Sequence, residues 1–324
     1  MITKGFTNFS EMEKMILTLT ANPSIDRTLM VENFTAGKLN RVIRSRVDVG
    51  GKGINVARNL KSIGDDVVTT GFIGNNALWI ADFLQNEGII ADFVKIEKDT
   101  RTNIKVFDIS KKELTELNEQ GPEATSNEVK DLKEKVLNYA EMSEVIVLTG
   151  SLPPQVPKTF YRDLISEIKR MNTKIILDAE GEALIYGISE KPLMIKPNLY
   201  EFENLIGKKI ANLNQLIEEG KKLNDNGIDV VAISMGSNGS IVITDMDIFI
   251  VEPIKVDFKS TVGAGDAYVA GFAHGLYRKL SIEETIRIAV AMSTAVVMKE
   301  GTSIATFDEI SRLKDKVKFR RIER

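Results

Sequence analysis

The residues with the most definite chemistry are Ser260-Thr261-Val262-Gly263-Ala264-Gly265-Asp266. Tyr268, Val269, Phe272 and Leu276 follow at helical spacing, so a helix is expected to open near Asp266. Two glycines just before a helix let the backbone bend and leave amide N–H groups pointing outward. Those amides and the positive end of the helix dipole make an anion site. Asp266 stands at its edge as a carboxylate. A base beside an anion hole suits phosphoryl transfer to a hydroxyl: the carboxylate takes the hydroxyl proton while the amides hold charge on the moving phosphate. The same residues also read as a plain turn and helix cap, so the chemistry depends on what the rest of the chain adds.

Gly50-Gly51-Lys52-Gly53-Ile54-Asn55 opens a second helix, with Ile54, Ala57, Leu60 and Ile63 on one face and Gly64 ending it. A Walker loop needs four residues between its glycines, and the dinucleotide fingerprint wants a small residue where Val56 stands; neither fits. Gly50, Gly51 and Gly53 suit close approach of a polar ligand reached by Lys52 and Asn55, with a purely structural turn as the alternative. Asn22-Pro23-Ser24-Ile25-Asp26 is a turn-forming cluster with a carboxylate at its end. Arg101 reads as a surface charge or, at the mouth of an insert, as a phosphate fork. Further polar clusters close strands at Thr149-Gly150-Ser151-Leu152-Pro153-Pro154, Lys196-Pro197-Asn198 and Ser234-Met235-Gly236-Ser237-Asn238-Gly239.

The elements that must position these residues alternate. Strands are expected at 16–20, 67–73, 89–96, 144–149, 174–178, 193–196, 228–234 and 248–258. Helices are expected at 77–87, 127–140, 157–170, 181–187, 198–206, 213–226, 282–299 and 306–316, with a capping box at Thr125 and Glu128. Such alternation argues for a mostly parallel α/β sheet covered by helices on both faces, where ligands bind beyond the carboxyl ends of the strands. Two inserts, at about 25–49 and 100–120, alternate polar and apolar residues and suggest a small β sheet standing off the main body. Lys314 to Arg324 reads as a solvated basic tail.

The whole chain has 324 residues, 43 basic and 46 acidic, for a net charge of -3, so no basic footprint for nucleic acid appears. With no cysteine and one histidine, disulfides, cysteine nucleophiles, His-based metal clusters and serine–histidine triads fall away. Absence of cysteine fits a cytoplasmic protein, and His274 reads as a packing or surface residue. No apolar run approaches the ~20 residues that span a bilayer, so no membrane partner is expected. Residues 1–14 are too polar for a signal peptide and read as an extension, or as the product of an upstream start, with one folded domain at 15–324.

Taken together, these motifs resemble those of the ribokinase-like (PfkB) sugar kinases from about Met15 to the end. The resemblance implies a ribokinase-like fold in which the small β sheet is a lid that closes over the sugar and pairs two subunits into a homodimer. It implies that Asp266 is the base and that amides of Gly263, Ala264 and Gly265 are the anion hole. Asp26, Gly51, Lys52 and Asn55 would hold the sugar, with Lys38 and Arg101 on its existing phosphate. Asn198 and Glu201 would organise Mg2+ through water. Lys196, Ser234, Gly236, Ser237, Gly239 and Gly265 would line the ATP side, with Ala291 and Gly301 near the adenine. An extra cation at Lys52 fits a sugar phosphate better than a neutral sugar. Among ketohexose phosphates, fructose 1-phosphate leads tagatose 6-phosphate and fructose 6-phosphate. A non-catalytic sugar-phosphate sensor is the rival of another class, opposed by the presence of Asp266, Asn198 and Glu201.

Overall fold

The computed structural model describes residues 14–324. Of the extension expected at 1–14, all but Lys14 lies outside the described residues. In chain order the strands are β1 (Met15–Thr20), β2 (Ser24–Val31), β3 (Arg44–Gly50), β4 (Val67–Ile73), β5 (Ile90–Ala91), β6 (Val94–Lys95), β7 (Arg101–Asp108), β8 (Glu113–Asn118), β9 (Ser143–Thr149), β10 (Lys174–Asp178), β11 (Met194–Ile195), β12 (Val230–Ser234), β13 (Ser240–Thr244), β14 (Asp247–Val251) and β15 (Phe319–Glu323). The helices are α1 (Lys52–Ser62), α2 (Trp79–Asn86), α3 (Ser126–Ala140), α4 (Phe160–Ile168), α5 (Gly181–Ile188), α6 (Leu199–Ile206), α7 (Leu213–Asp225), α8 (Ala264–Tyr277), α9 (Ile282–Val297) and α10 (Phe307–Lys314).

Among the described residues, eleven strands form one sheet in the order β15-β14-β13-β12-β11-β10-β9-β1-β4-β5, with β6 also on β4. Pairing is parallel from β4 through β12 and antiparallel from β12 to β15. Side chains alternate across the pleat. Ile16, Val145, Val147 and Ile176 enter one core with α1, α8 and α9, whereas Leu17, Ile146, Leu148 and Ile175 enter the other with α3 and α4. A sheet buried on both faces reads as continuous apolar runs, as in Val-Ile-Val-Leu of β9. Because β1, β9, β10, β11 and β12 run parallel, their carboxyl ends lie along one edge. The second sheet has the order β3-β2-β7-β8 and comes from the two inserts expected at about 25–49 and 100–120.

Three local expectations change. The strand expected at 248–258 ends at Val251, because Pro253 has no N–H for a ladder. It is the second arm of a hairpin with β13, which the periodicity did not separate from the glycine-rich loop before it. The strand expected at 89–96 divides into β5 and β6, each pairing with β4. The tail expected to be solvated instead forms β15 on the edge of the large sheet. There Phe319 packs edge-on against Phe249, ring centroids 5.4 Å apart, and Arg321 Nε donates to Asp247 Oδ1 at 2.7 Å.

Candidate active site

Gly263 caps α8 at φ 80, a backbone conformation that glycine takes without strain. Asp266 therefore falls in the first turn of α8, buried, and its Oδ2 accepts a 2.8 Å hydrogen bond from Asn55 Nδ2 of α1. Burial pushes the Asp266 carboxyl up to about 6, with Asp178 pushing the same way; Lys52, the Asn55 bond and Lys196 pull it down. Such a carboxyl is ionised at neutral pH and still basic enough to take a proton. Ala264 and Gly265 begin the same helix, and a Cβ at Gly265 would lie 3.6 Å from Lys196 Nζ. The anion site suggested by the glycines thus faces a lysine as well as backbone amides.

Lys196, just past β11, is buried and lies 3.2 Å from Asp178 Oδ1. Lys52, in the first turn of α1, lies 3.5 Å from Asp178 Oδ2. Asp178 ends β10 and also accepts from Thr149 Oγ1 at 3.0 Å. Burial alone would raise the Asp178 carboxyl, but Lys196, Lys52 and Thr149 outweigh it and hold it below the ordinary range. Asp178 in turn raises the Lys52 ammonium, against burial and with help from Asp266, Glu201 and Glu180. Asp178 therefore joins two cations at the mouth of the site. Sequence reasoning placed it at a strand end and gave it no role; Lys196 at the end of the adjacent strand and Lys52 in the glycine-rich helix start were the available signal.

The glycines of Gly50-Gly51-Lys52-Gly53 have separate jobs. Gly51 caps α1 at φ 128. A Cβ on Gly50 would overlap Ser24 Oγ and Asp26 Oδ1, and one on Gly53 would overlap Thr20 Oγ1. Close approach of β3 to β2 at Gly50, and of α1 to β1 at Gly53, is what these positions require. Asp26 is buried on β2, where Oδ1 accepts from Ser24 Oγ at 2.7 Å and Asn103 Nδ2 at 3.1 Å, and Oδ2 from Lys105 Nζ at 2.7 Å. Ser24, Asn103 and Lys105 were not anticipated. The traces were the turn cluster that holds Ser24 beside Asp26 and the alternating pattern of the second insert, which holds Asn103 and Lys105.

Other expected residues are placed less directly. Arg101 turns its guanidinium to the chain itself, donating to Asn22 O and Glu119 O at 3.0 Å each and to Pro23 O at 3.4 Å. It pins the second insert to the β1–β2 turn. Lys38 is exposed in the β2–β3 loop, at the end of the small sheet opposite Gly50. Asn198 and Glu201 form a capping box on α6: Asn198 Oδ1 accepts from Glu201 N and Glu201 Oε2 from Asn198 N, both at 2.8 Å. Among the described residues, no group of three or more acidic or histidine side chains could hold a metal. Glu201 Oε1 is left over by the cap, and Glu201 acts electrostatically on Lys52, so it faces the site. One carboxylate near a phosphate site fits a hydrated Mg2+, which keeps several waters and binds substrate phosphates. Ser234 bridges to Asn198 at the next strand end, and Gly236, Ser237 and Gly239 turn the exposed β12–β13 connection, Gly236 at φ 58. Ala291, on α9, is fully buried among the core residues that α8 and α9 share. Gly301, at φ 66, has the Arg46 guanidinium where its Cβ would stand. His274 is held by Asp65, with Nδ1 2.7 Å from Oδ2, a packing role as expected.

A profile of the pfkB family of carbohydrate kinases matches residues 17–309. A 1-phosphofructokinase of Borreliella burgdorferi is 35% identical over 301 residues, 92% of this chain and 96% of that protein. The 1-phosphofructokinase of Bacillus subtilis is 34% identical over 309 residues, 95% of this chain and all of that protein. Phosphofructokinase-2 from Escherichia coli, solved with fructose 6-phosphate, superposes with TM-score 0.87 at 25% identity, covering 94% of this chain and 99% of that one.

Proposed function

The chain belongs to the pfkB family of carbohydrate kinases, phosphotransferases with an alcohol group as acceptor, and we propose that its acceptor is fructose 1-phosphate. The product would be fructose 1,6-bisphosphate. One observation carries the reading: a buried base, Asp266, stands one residue from the Gly265 backbone that faces Lys196. In the reaction, Asp266 takes the proton of the 6-hydroxyl as its oxygen bonds to the γ-phosphorus of ATP. The bond from that phosphorus to the bridging oxygen breaks, and ADP leaves with the electron pair. Amides of Gly263, Ala264 and Gly265 hold charge on the moving group. Lys196 and Lys52 add positive charge where it grows, each kept in place by Asp178. Mg2+, organised through water by Glu201 with Asn198, would neutralise phosphate charge. Ser234, Gly236, Ser237 and Gly239 border the nucleotide side.

The small sheet, at about 25–49 and 100–120, acts in this reading as a lid over the sugar. Its face away from Asp26 carries a row Val47–Arg27–Ile104–Leu117, with Val47 and Leu117 more than half exposed. A row with three apolar members of four suits a second copy of the chain, and a homodimer through the lid is expected by light scattering. Among the described residues no helix is long and apolar enough to cross a membrane. A cytoplasmic location fits the need for ATP.

The second reading keeps the chemistry and moves the phosphate: the Escherichia coli neighbour was solved with fructose 6-phosphate. An ADP-release assay with fructose 1-phosphate, fructose 6-phosphate, tagatose 6-phosphate, fructose and ribose separates them by kcat/KM. Preference for a 6-phosphate would replace the proposed acceptor. Binding without turnover on any of them would make the chain a sensor.

A further inference from the structure

The ion pair inside the small sheet has no part in the phosphoryl-transfer step. Lys105 Nζ lies 2.7 Å from Asp26 Oδ2, and both side chains are 8% exposed. An ammonium carries three N–H donors, and the bond to Asp26 uses one. No second partner for it occurs among the described residues. Nearby, Asn103 turns its amide nitrogen to Asp26, leaving Oδ1 buried and unpaired. Buried charged donors and buried acceptors left open are costly unless a ligand completes them. Together they outline a polar subsite on the inner face of the lid.

Its position follows from the register. Asp26 pairs with Asn103 and Thr28 with Lys105, so Lys105 stands one step farther out on the same face, about 7 Å along the strand. Asp266 and Asp26 flank the first turn of α1, the former through Asn55 and the latter through the space at Gly50. A ketohexose laid across that turn puts its reacting hydroxyl at Asp266 and its other end along β2 and β7. That end meets Asp26 and, paired with it on β3, Asp48, which is held by Arg46 at 2.7 Å. Two carboxylates would repel a phosphate there. Arg101 has its fork on three carbonyl oxygens, and Lys38 lies in the loop beyond the outer end of the sheet. Lys105 is the buried cation with donors to spare.

We propose that Lys105 selects an acceptor that already bears a phosphate: its ammonium bridges Asp26 and a phosphate oxygen at the non-reacting end of the sugar. The assignment rests on the sugar-phosphate kinase reading and adds the residue that sets acceptor class. Parent, Lys105→Met and Lys105→Arg are compared by kcat/KM on fructose 1-phosphate and on fructose. Loss of one charge-assisted hydrogen bond corresponds to about 10–100-fold. Lys105→Met is expected to lose that factor on fructose 1-phosphate through KM, to change by less than about threefold on fructose, and to be largely rescued by Lys105→Arg. Equal losses on both acceptors would reduce Lys105 to a support for Asp26 and overturn the proposal, as would an unchanged ratio. Should Lys105→Met fail to fold, Lys105→Gln carries the same comparison. A parent inactive on every acceptor would overturn the kinase reading instead, a result separate from an active parent whose acceptor ratio the variants leave alone.

Discussion

Asp266→Asn is expected to lose most turnover and stabilise the fold at the same time. The carboxyl rises from its ordinary 3.8 to about 6, with burial the largest cause. The unfolded chain therefore releases this proton at lower pH than the native one, so stability falls as pH rises from 3.8 through 6. At 1.36 kcal/mol per pH unit, the raised carboxyl costs the native state ~3 kcal/mol relative to the unfolded chain at about pH 7.5 and only ~1 kcal/mol at about pH 4.5. Asparagine keeps the acceptor for Asn55 Nδ2 and removes the charge. With ~2.1 cal/mol/K of unfolding entropy per residue over 324 residues, the neutral variant should melt about 4 °C higher at about pH 7.5. Near pH 4.5 the gain should shrink to about 1–2 °C. Loss of a general base lowers kcat by about 10²–10⁴-fold, with sugar-phosphate binding retained. Thermal melts at the two pH values, with ADP-release kinetics on the same preparations, test both halves. A variant that melts lower at neutral pH would refute the burial argument, and an unchanged kcat would remove Asp266 from the mechanism.

Three further outcomes follow from named contacts. Asn55→Leu deletes the 2.8 Å bond that helps pull the Asp266 carboxyl down, so the acid limb of kcat/KM should move up from about 6 by ~1–2 pH units; a limb that stays put would count against Asp266 as the titrating base. Gly50→Ala pushes a methyl into Ser24 Oγ and Asp26 Oδ1 and should raise the sugar KM about 10–100-fold, measured on fructose 1-phosphate with kcat as the control. Ending the chain after Lys318 removes β15, with the Phe249–Phe319 contact and the Arg321–Asp247 pair. That deletion should lower Tm by about 3–6 °C, whereas a Tm unchanged within about 1 °C would restore the picture of a solvated tail.

Much of the architecture was legible because burial on two faces leaves a long, regular trace. Val145 to Leu148 alternate between two cores, so the whole stretch is apolar, and its end is marked by Thr149-Gly150. The inserts were legible for the opposite reason: polar and apolar residues alternate along them, as in Arg44 to Val49, even though burial on that strand rises toward Gly50 and does not alternate. What periodicity missed lay where a strand depends on a distant partner. Phe319 to Glu323 is basic and short, and it becomes strand because β14 presents a free edge.

The succession of strands and helices along the chain and the glycine-marked helix starts are properties of the sequence, since each is set by residues close together in the chain. Only the tertiary structure decides which charges meet. It puts Lys52 and Lys196 on one Asp178, turns Arg101 to carbonyl oxygens, and closes Lys105 on Asp26 from 79 residues away. Charges act over ångströms whatever their separation in the chain, and burial removes the water that would screen them. Their partners are therefore chosen by packing, not by spacing.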